Sequence, residues 1–324
     1  MSAKIRKFKW DDIDNLVDMI NRSQVAEGAE ERVTREAVEH SLNGPFLEPE
    51  ADIFLAEAPD GNLVAFGLMA STHVPYSGMA ELLIHPDHRE GTLGTEILRK
   101  LEDQFVSTTT PKLKESDPLY AQIGLNDTAK DRIALLEQAG YTYVRSFYTM
   151  EISLDQPIAM PELPDGFTVR VFNPETDKWR AYEAHQDSFR DHWGHIEDTP
   201  YERWEHRLTD PDFDPNLWFL AYAGDEVAGI SFCNPPNDNR PNTGWVNNLG
   251  VRSAWRRRGL GEALLKHSFY EFQQRGWKRG ELGVDASSKT NAVALYERAG
   301  MSVKKQQLVY RKVFRGNPDD ILNA

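Results

Sequence analysis

The sequence predicts an α/β fold, a mixed sheet with helices on both faces, built twice in tandem. Three observations predict it. The segment 84–94 reads like 251–261, and 133–141 reads like 293–301, in the same order. A Pro-rich, acidic stretch at 155–166 separates two strand-like runs. Each half then repeats one succession of hairpin, strand, helix, strand and helix.

In the first half, 11–21 puts Ile13, Leu16, Val17 and Ile20 on one helical face, as apolar residues three and four apart require. The runs 53–57 and 63–71 form a hairpin across Pro59-Asp60-Gly61. Ile84-His85-Pro86-Asp87-His88-Arg89-Glu90-Gly91-Thr92-Leu93-Gly94 reads as a strand end, a turn and a helix start. A helix over 133–139 stops at Gly140, and 146–154 alternates as a strand. In the second half, 167–172 opens as a strand, and 218–222 with 227–232 repeats the hairpin across Ala223-Gly224-Asp225-Glu226. The next strand is 245–251. A helix at 262–274 turns Leu264, Leu265, Ser268, Phe269 and Phe272 inward and stops at Gly276. A strand at 281–285, a helix at 291–299 and a last strand at 306–314 complete the half. The boundary at 155–166 gives two domains, 1–155 and 166–316.

Composition narrows the function. With 51 acidic and 37 basic residues the net charge of −14 argues against nucleic-acid or anionic-membrane partners, which need excess Lys and Arg. The pI of 5.2 suits a cationic small molecule or peptide. Eight Trp and 40% apolar residues argue against disorder. The single cysteine, Cys233, excludes a disulfide framework and a Cys-rich zinc site, and no metal is expected. The first ten residues lack a signal peptide's apolar core, and the longest apolar stretch, 63–70, is too short to span a bilayer. The expectation is a cytoplasmic monomer or homodimer.

Arg256-Arg257-Arg258-Gly259-Leu260-Gly261 joins an apolar strand to an amphipathic helix. Unpaired N–H groups and the positive dipole at a helix start attract an anion, and two glycines let the backbone approach it. Three arginines beside a positive helix end call for a negative partner. A solvated arginine run with turn glycines is the competing reading. The spacing matches neither the ATP nor the NAD loop.

At this point the chain resembles a family. Val251, the Arg256-x-x-Gly259-x-Gly261 loop, Asn291 and the ending Leu295-Tyr296-x-x-x-Gly300-Met301 look like the GNAT superfamily of N-acetyltransferases. The family asparagine stands seven residues before the tyrosine; Asn291 stands five before Tyr296. Two such domains in tandem, with Ser188-Phe189-Arg190-Asp191-His192-Trp193-Gly194 early in the second, are most similar to the mycothiol-synthase group.

The resemblance implies acetyl-CoA as co-substrate, with its pyrophosphate on the amides of Arg256, Arg257, Arg258, Gly259, Leu260 and Gly261. It implies that the backbone of Leu249, Gly250 and Val251 pairs with the pantetheine arm like an added strand. It places Asn291 on the cofactor arm, and asparagine also suits a helix N-cap. Tyr296 matches the tyrosine beside the thioester sulfur, where a phenol protonates the leaving thiolate. A core tyrosine is the plainer reading of spacing alone.

The base is open. The family often supplies a glutamate four or five residues before Leu249, and Trp245 stands there, followed by Asn247 and Asn248. Asn247 or Asn248 orienting a water, Asp285 and His192 are the candidates; an aspartate closing a strand also commonly caps the next turn. The acids and aromatics of 186–207 suit a cationic acceptor or, more simply, a solvated helix face. In the first domain Thr92, Asp131 and Leu136 replace Gly259, Asn291 and Tyr296, so that domain is expected not to catalyse. An N-acetyltransferase acting on a primary amine of a small molecule or peptide leads. A non-catalytic acyl-CoA sensor on the same fold is the alternative.

Overall fold

The duplication is realised as two α/β units, Met1–Arg145 with Gln307–Ala324, and Ser146–Gln306. The computed structural model describes residues 3–26, 32–44, 47–72, 74–195, 197–210, 212–237, 240–288 and 291–322 of the 324.

In the first unit the chain runs through β1 (Lys4–Lys7), α1 (Ile13–Ala26), α2 (Arg35–Leu42), α3 (Pro49–Asp52), β2 (Ile53–Glu57), β3 (Leu63–Ser71), β4 (Ser77–Ile84), α4 (Leu93–Thr109), β5 (Leu119–Asn126) and α5 (Lys130–Gln138). It then enters β6 (Thr142–Ser153). The second unit continues with β7 (Phe167–Val171), α6 (Lys178–Phe189), α7 (Tyr201–Glu205), β8 (Trp218–Ala223), β9 (Glu226–Asn234), β10 (Thr243–Val251), α8 (Leu260–Gln274), β11 (Arg279–Asp285) and α9 (Ala292–Arg298). The strand β12 (Ser302–Arg315) and the short α10 (Pro318–Leu322) close the chain.

Each unit is a sheet with two apolar layers, as the alternation of its strands requires. In the first, Ile13, Leu16 and Met19 of α1 pack with Ile53 and Phe66, while Ile97, Leu101 and Phe105 of α4 cover the other face. In the second, Ala181, Ala184 and Trp204 pack with Trp218, Ile230 and Phe232 on one face. Leu264, Phe269 and Phe272 of α8 pack with Leu282 and Val284 on the other. The five inward residues read from the α8 sequence are all buried.

The last strand of each unit corrects the sequence reading. The boundary at 155–166, with domains 1–155 and 166–316, gives each half its own final strand. Instead β6 pairs antiparallel with β11 over Phe147–Ser153, and β12 pairs antiparallel with β5 from Gln307 onward. The units thus exchange their closing strands. An alternating strand has the same apolar face whichever sheet it joins, so the pattern alone does not choose. The stretch after β6 is tied to the second unit by Gln273, whose amide donates to Leu154 O (2.6 Å) and Gln156 O (2.7 Å) and accepts from Ile158 N (2.7 Å).

Candidate active site

In both units one parallel strand pair interrupts an antiparallel sheet: β4 with β5, and β10 with β11. In the second unit the pairing runs from Thr243–Arg279 to Val246–Leu282 and then stops. The register of β10 against β9 shifts between Val246 and Asn248, leaving Asn247 as an extra residue. A bulge bends its strand and sharpens the twist. Beyond it Leu249, Gly250 and Val251 pair with β9 on one side only, and the other edge is free of β11.

A cleft of about 410 Å3 opens there. Its walls hold Leu249, Gly250 and Val251 of β10, then Arg256, Arg257, Gly259, Leu260 and Gly261 of the turn, and Asn291, Leu295 and Tyr296 from the α9 region. Ser188 and His192, at the end of α6, complete it. Residues separated by a hundred positions in sequence therefore meet around one space.

The turn is held in a costly conformation. Arg257 (φ 64°) and Asn291 (φ 57°) adopt left-handed backbone, which side-chain-bearing residues avoid, and such outliers gather at functional sites. Gly259 (φ 82°) is the N-cap of α8 and brings no side chain to its first amides, so these face the cleft with the positive helix end behind them. Arg256 does not point its charge at that space. Its Nε donates to Val251 O at 2.9 Å, and its guanidinium bonds Asp191 and Ser188 O. It fixes the turn while Arg257 and Arg258 stay exposed.

Tyr296 is 8% exposed, and burial pushes its phenol up to about 12, so it keeps its proton at neutral pH. Asn291 is the N-cap of α9 but makes no side-chain capping bond, leaving its amide to the cleft. His192 rests edge-on against Phe189 with centroids 4.6 Å apart, and desolvation lowers its pKa against the pull of Asp191 and Asp285.

Arg258, Asn247, Asn248 and Asp285, all singled out in the sequence, do not line this space. Arg258 points to solvent. Asn247 is exposed, because a bulge residue has no partner to cover it. Asp285 lies at the end of β11, where its Oδ1 accepts from Ser287 N at 2.9 Å, the turn-capping role. The carboxylates of 186–207 are largely committed too. Asp187 pairs with Arg252 (2.7 Å), Asp198 with Arg190 (2.7 Å), Glu205 with Lys178 (2.9 Å), and Asp191 with Arg256. They neutralise this unit's own cations instead of forming a cationic-acceptor pocket. Sequence reading passed over Glu281, the register partner of Trp245 on β11. It is 4% exposed, bonded to Lys304, and raised by burial. An acid set among the Gly, Leu and Val of a strand was its signal.

The first unit differs at the corresponding place. There β4 runs against β3 without a register shift, and the space beside the fork is about 90 Å3. A β-carbon on Gly94 would lie 2.3 Å from Leu135 Cδ1 and 2.7 Å from Ile84 Cδ1, whereas on Gly261 the nearest atoms are 3.6 Å away. The cradle is filled in one unit and open in the other.

Among the described residues no group of His, Cys, Asp and Glu is arranged to hold a metal, and no helix is long and apolar enough to cross a membrane. The pattern of the Acetyltransferase (GNAT) family matches residues 178–301. The mycothiol acetyltransferase of Streptomyces bingchenggensis (strain BCW-1) is 30% identical over 269 residues, 80% of each chain. That of Salinispora arenicola (strain CNS-205) is 31% identical over 266 residues, 79% of this chain and 80% of the relative. The crystal structure of a GCN5-related N-acetyltransferase from Sphaerobacter thermophilus superposes with a TM-score of 0.82 at 30% identity, covering 97% of this chain and 96% of that one. A tandem GNAT protein from the clavulanic acid biosynthesis pathway shares the fold, with a TM-score of 0.73 at 14% identity over 97% and 99% of the two chains. The open cradle, the forked strands and these likenesses agree: the chain belongs to the GNAT acetyltransferase family and is an acetyl-CoA-dependent N-acetyltransferase that acts on an amine.

Proposed function

We propose that the second unit alone carries the reaction and that the first keeps the fold without the chemistry. The observation that supports this is the contrast at Gly94 and Gly261, one packed shut and the other open. The residues present fit acetyl-CoA. The amides from Arg256 to Gly261 take its pyrophosphate at the start of α8, the free edge of Leu249, Gly250 and Val251 pairs with its pantetheine arm, and the Asn291 amide bonds that arm. Bound there, acetyl-CoA supplies an acetyl group activated as a thioester.

The Tyr296 hydroxyl protonates the departing sulfur, a role suited to a phenol that stays protonated at neutral pH. His192, neutral at pH 7 because desolvation lowers its pKa, takes the proton from the attacking amine, and the charge of Asp285 steadies the resulting imidazolium. Asn247, exposed at the bulge, orients water on the path by which that proton leaves. The acceptor is a small-molecule amine, and a mycothiol-related amine, after the name of the relatives, is one to compare.

The test is calorimetric and catalytic. Titration should give one acetyl-CoA per chain, abolished by Gly259→Asp, which sets a side chain and a like charge against the pyrophosphate. The acetylated amine should be detected by mass spectrometry for wild type and not for that variant. Two sites per chain, or binding that survives Gly259→Asp, would remove the assignment to the second unit.

A further inference from the structure

On the reading that the second unit holds the reaction, we propose that the acceptor carries an oxyanion, a carboxylate or a phosphate, beside its amine, and that Arg207 binds it. Arg207 lies in the turn His206–Thr209 that follows α7. Its Nη1 donates to Asn248 Oδ1 at 3.0 Å and stands 3.4 Å from His185 Nε2. No hydrogen bond among the described residues engages its Nε or Nη2, and no carboxylate among them pairs with it. The charge it feels most is a like one, from Arg203 four residues earlier. His185 cannot compensate, because it is neutral, its pKa driven down to about 3 by burial.

Taking a guanidinium out of water with no carboxylate beside it is costly. Carboxylates are not scarce in this chain, and four of the neighbouring segment are given to Arg252, Arg190, Lys178 and Arg256. Among the described residues none of them reaches Arg207. Its position matters as much as its charge. Asn248 is the first residue after the bulge, where β10 leaves β11, and it pairs across the sheet with Phe232, whose ring packs with Trp204 and Trp218 on the α6 side. The opposite side is filled by α8 and α9, so an amine reaches the fork from the side where Arg207 stands. A planar guanidinium with Nε and Nη2 open offers the paired donors that fit two oxygens of one carboxylate or phosphate. Arg207 then sets how far the amine lies from the fork.

The experiment uses the full chain saturated with CoA, which occupies the pyrophosphate turn. Inorganic phosphate and acetate are titrated separately by calorimetry, so the tighter of the two names the oxyanion class. Phosphate or acetate should bind wild type and bind Arg207→Gln about 10- to 100-fold more weakly, with CoA affinity unchanged. Arg207→Lys, which keeps the charge without the fork, should fall between them and serves where the glutamine variant does not fold. With acetyl-CoA, kcat/KM for glucosamine 6-phosphate should exceed that for glucosamine, or that for L-alanine exceed that for ethylamine, and Arg207→Gln should erase the preference. Equal binding of both anions by wild type and variant, or no binding by either, overturns the proposal. Absence of CoA binding in wild type would instead overturn the assignment of the cleft.

Discussion

Arg89 Nη1 stands 3.1 Å from Asp131 Oδ2, tying the turn before α4 to the start of α5 in the first unit. Its counterpart Arg256 turns away from Asn291 and bonds Asp191 of the segment after α6. Both arginines donate Nε to the carbonyl five residues earlier, Ile84 at 3.0 Å and Val251 at 2.9 Å, so the turns are built alike. One acid, Asp131 where the other unit has Asn291, draws the guanidinium across the mouth.

Removing that bridge is expected not to create a second site. Asp131→Asn should cost at most about 1 kcal/mol, because the pair is partly solvated. Acetyl-CoA stoichiometry should stay at one, since Leu135 and Ile84 still fill the space over Gly94. Calorimetry showing two sites in this variant would mean that the ion pair, not the packing, closes the first unit.

Gly261→Ala should be tolerated and Gly261→Leu should not. A β-carbon at 261 meets Leu295 and Val251 at ordinary contact distance, 3.6 Å, so alanine fits and helix propensity favours it slightly. Leucine would project into the cleft and is expected to weaken acetyl-CoA binding at least about tenfold while the melting temperature changes little. Unaltered affinity in the leucine variant would place the co-substrate elsewhere.

Tyr296→Phe keeps the ring and removes the proton donor. The chemical step should slow about 10- to 1000-fold, with acetyl-CoA affinity nearly unchanged. Burial holds the phenol near 12 in the folded chain, above its ordinary 10.0, so it stays neutral and protonated across the neutral range and loses its proton only in strong alkali. Single-turnover rates near wild type would leave Tyr296 as a packing residue.

His185 makes unit stability depend on acid. Its folded pKa of about 3 lies below the ordinary 6.5, so the unfolded chain takes up a proton that the folded one refuses. The stabilisation is present above pH 6.5 and is lost as pH falls toward 3, at up to about 1.4 kcal/mol per pH unit. His185→Gln should flatten the fall in melting temperature between pH 6.5 and 4.5. Parallel curves for the two proteins would show that another group carries the dependence.

The sequence alone determined the duplication, the order of the main elements and the glycine turn that opens α8. These are local matters: α8 buries the five residues its period marks, and glycine at 259 is where the backbone turns left-handed. What lay beyond it was pairing and side-chain direction. Alternation in 146–154 and 306–314 is satisfied by either sheet, so only the register of β6 on β11 and of β12 on β5 revealed the exchange. The arginine run reads as three charges for one phosphate, yet Arg256 is spent on Val251 and Asp191. The acids of 186–207 suit either a cationic acceptor or a solvated helix face, and tertiary contacts pair four of them with this unit's own cations, none of them Arg207. A residue's type follows from the chain, but its partner is chosen by which strands and helices meet, and that is a property of the folded sheet.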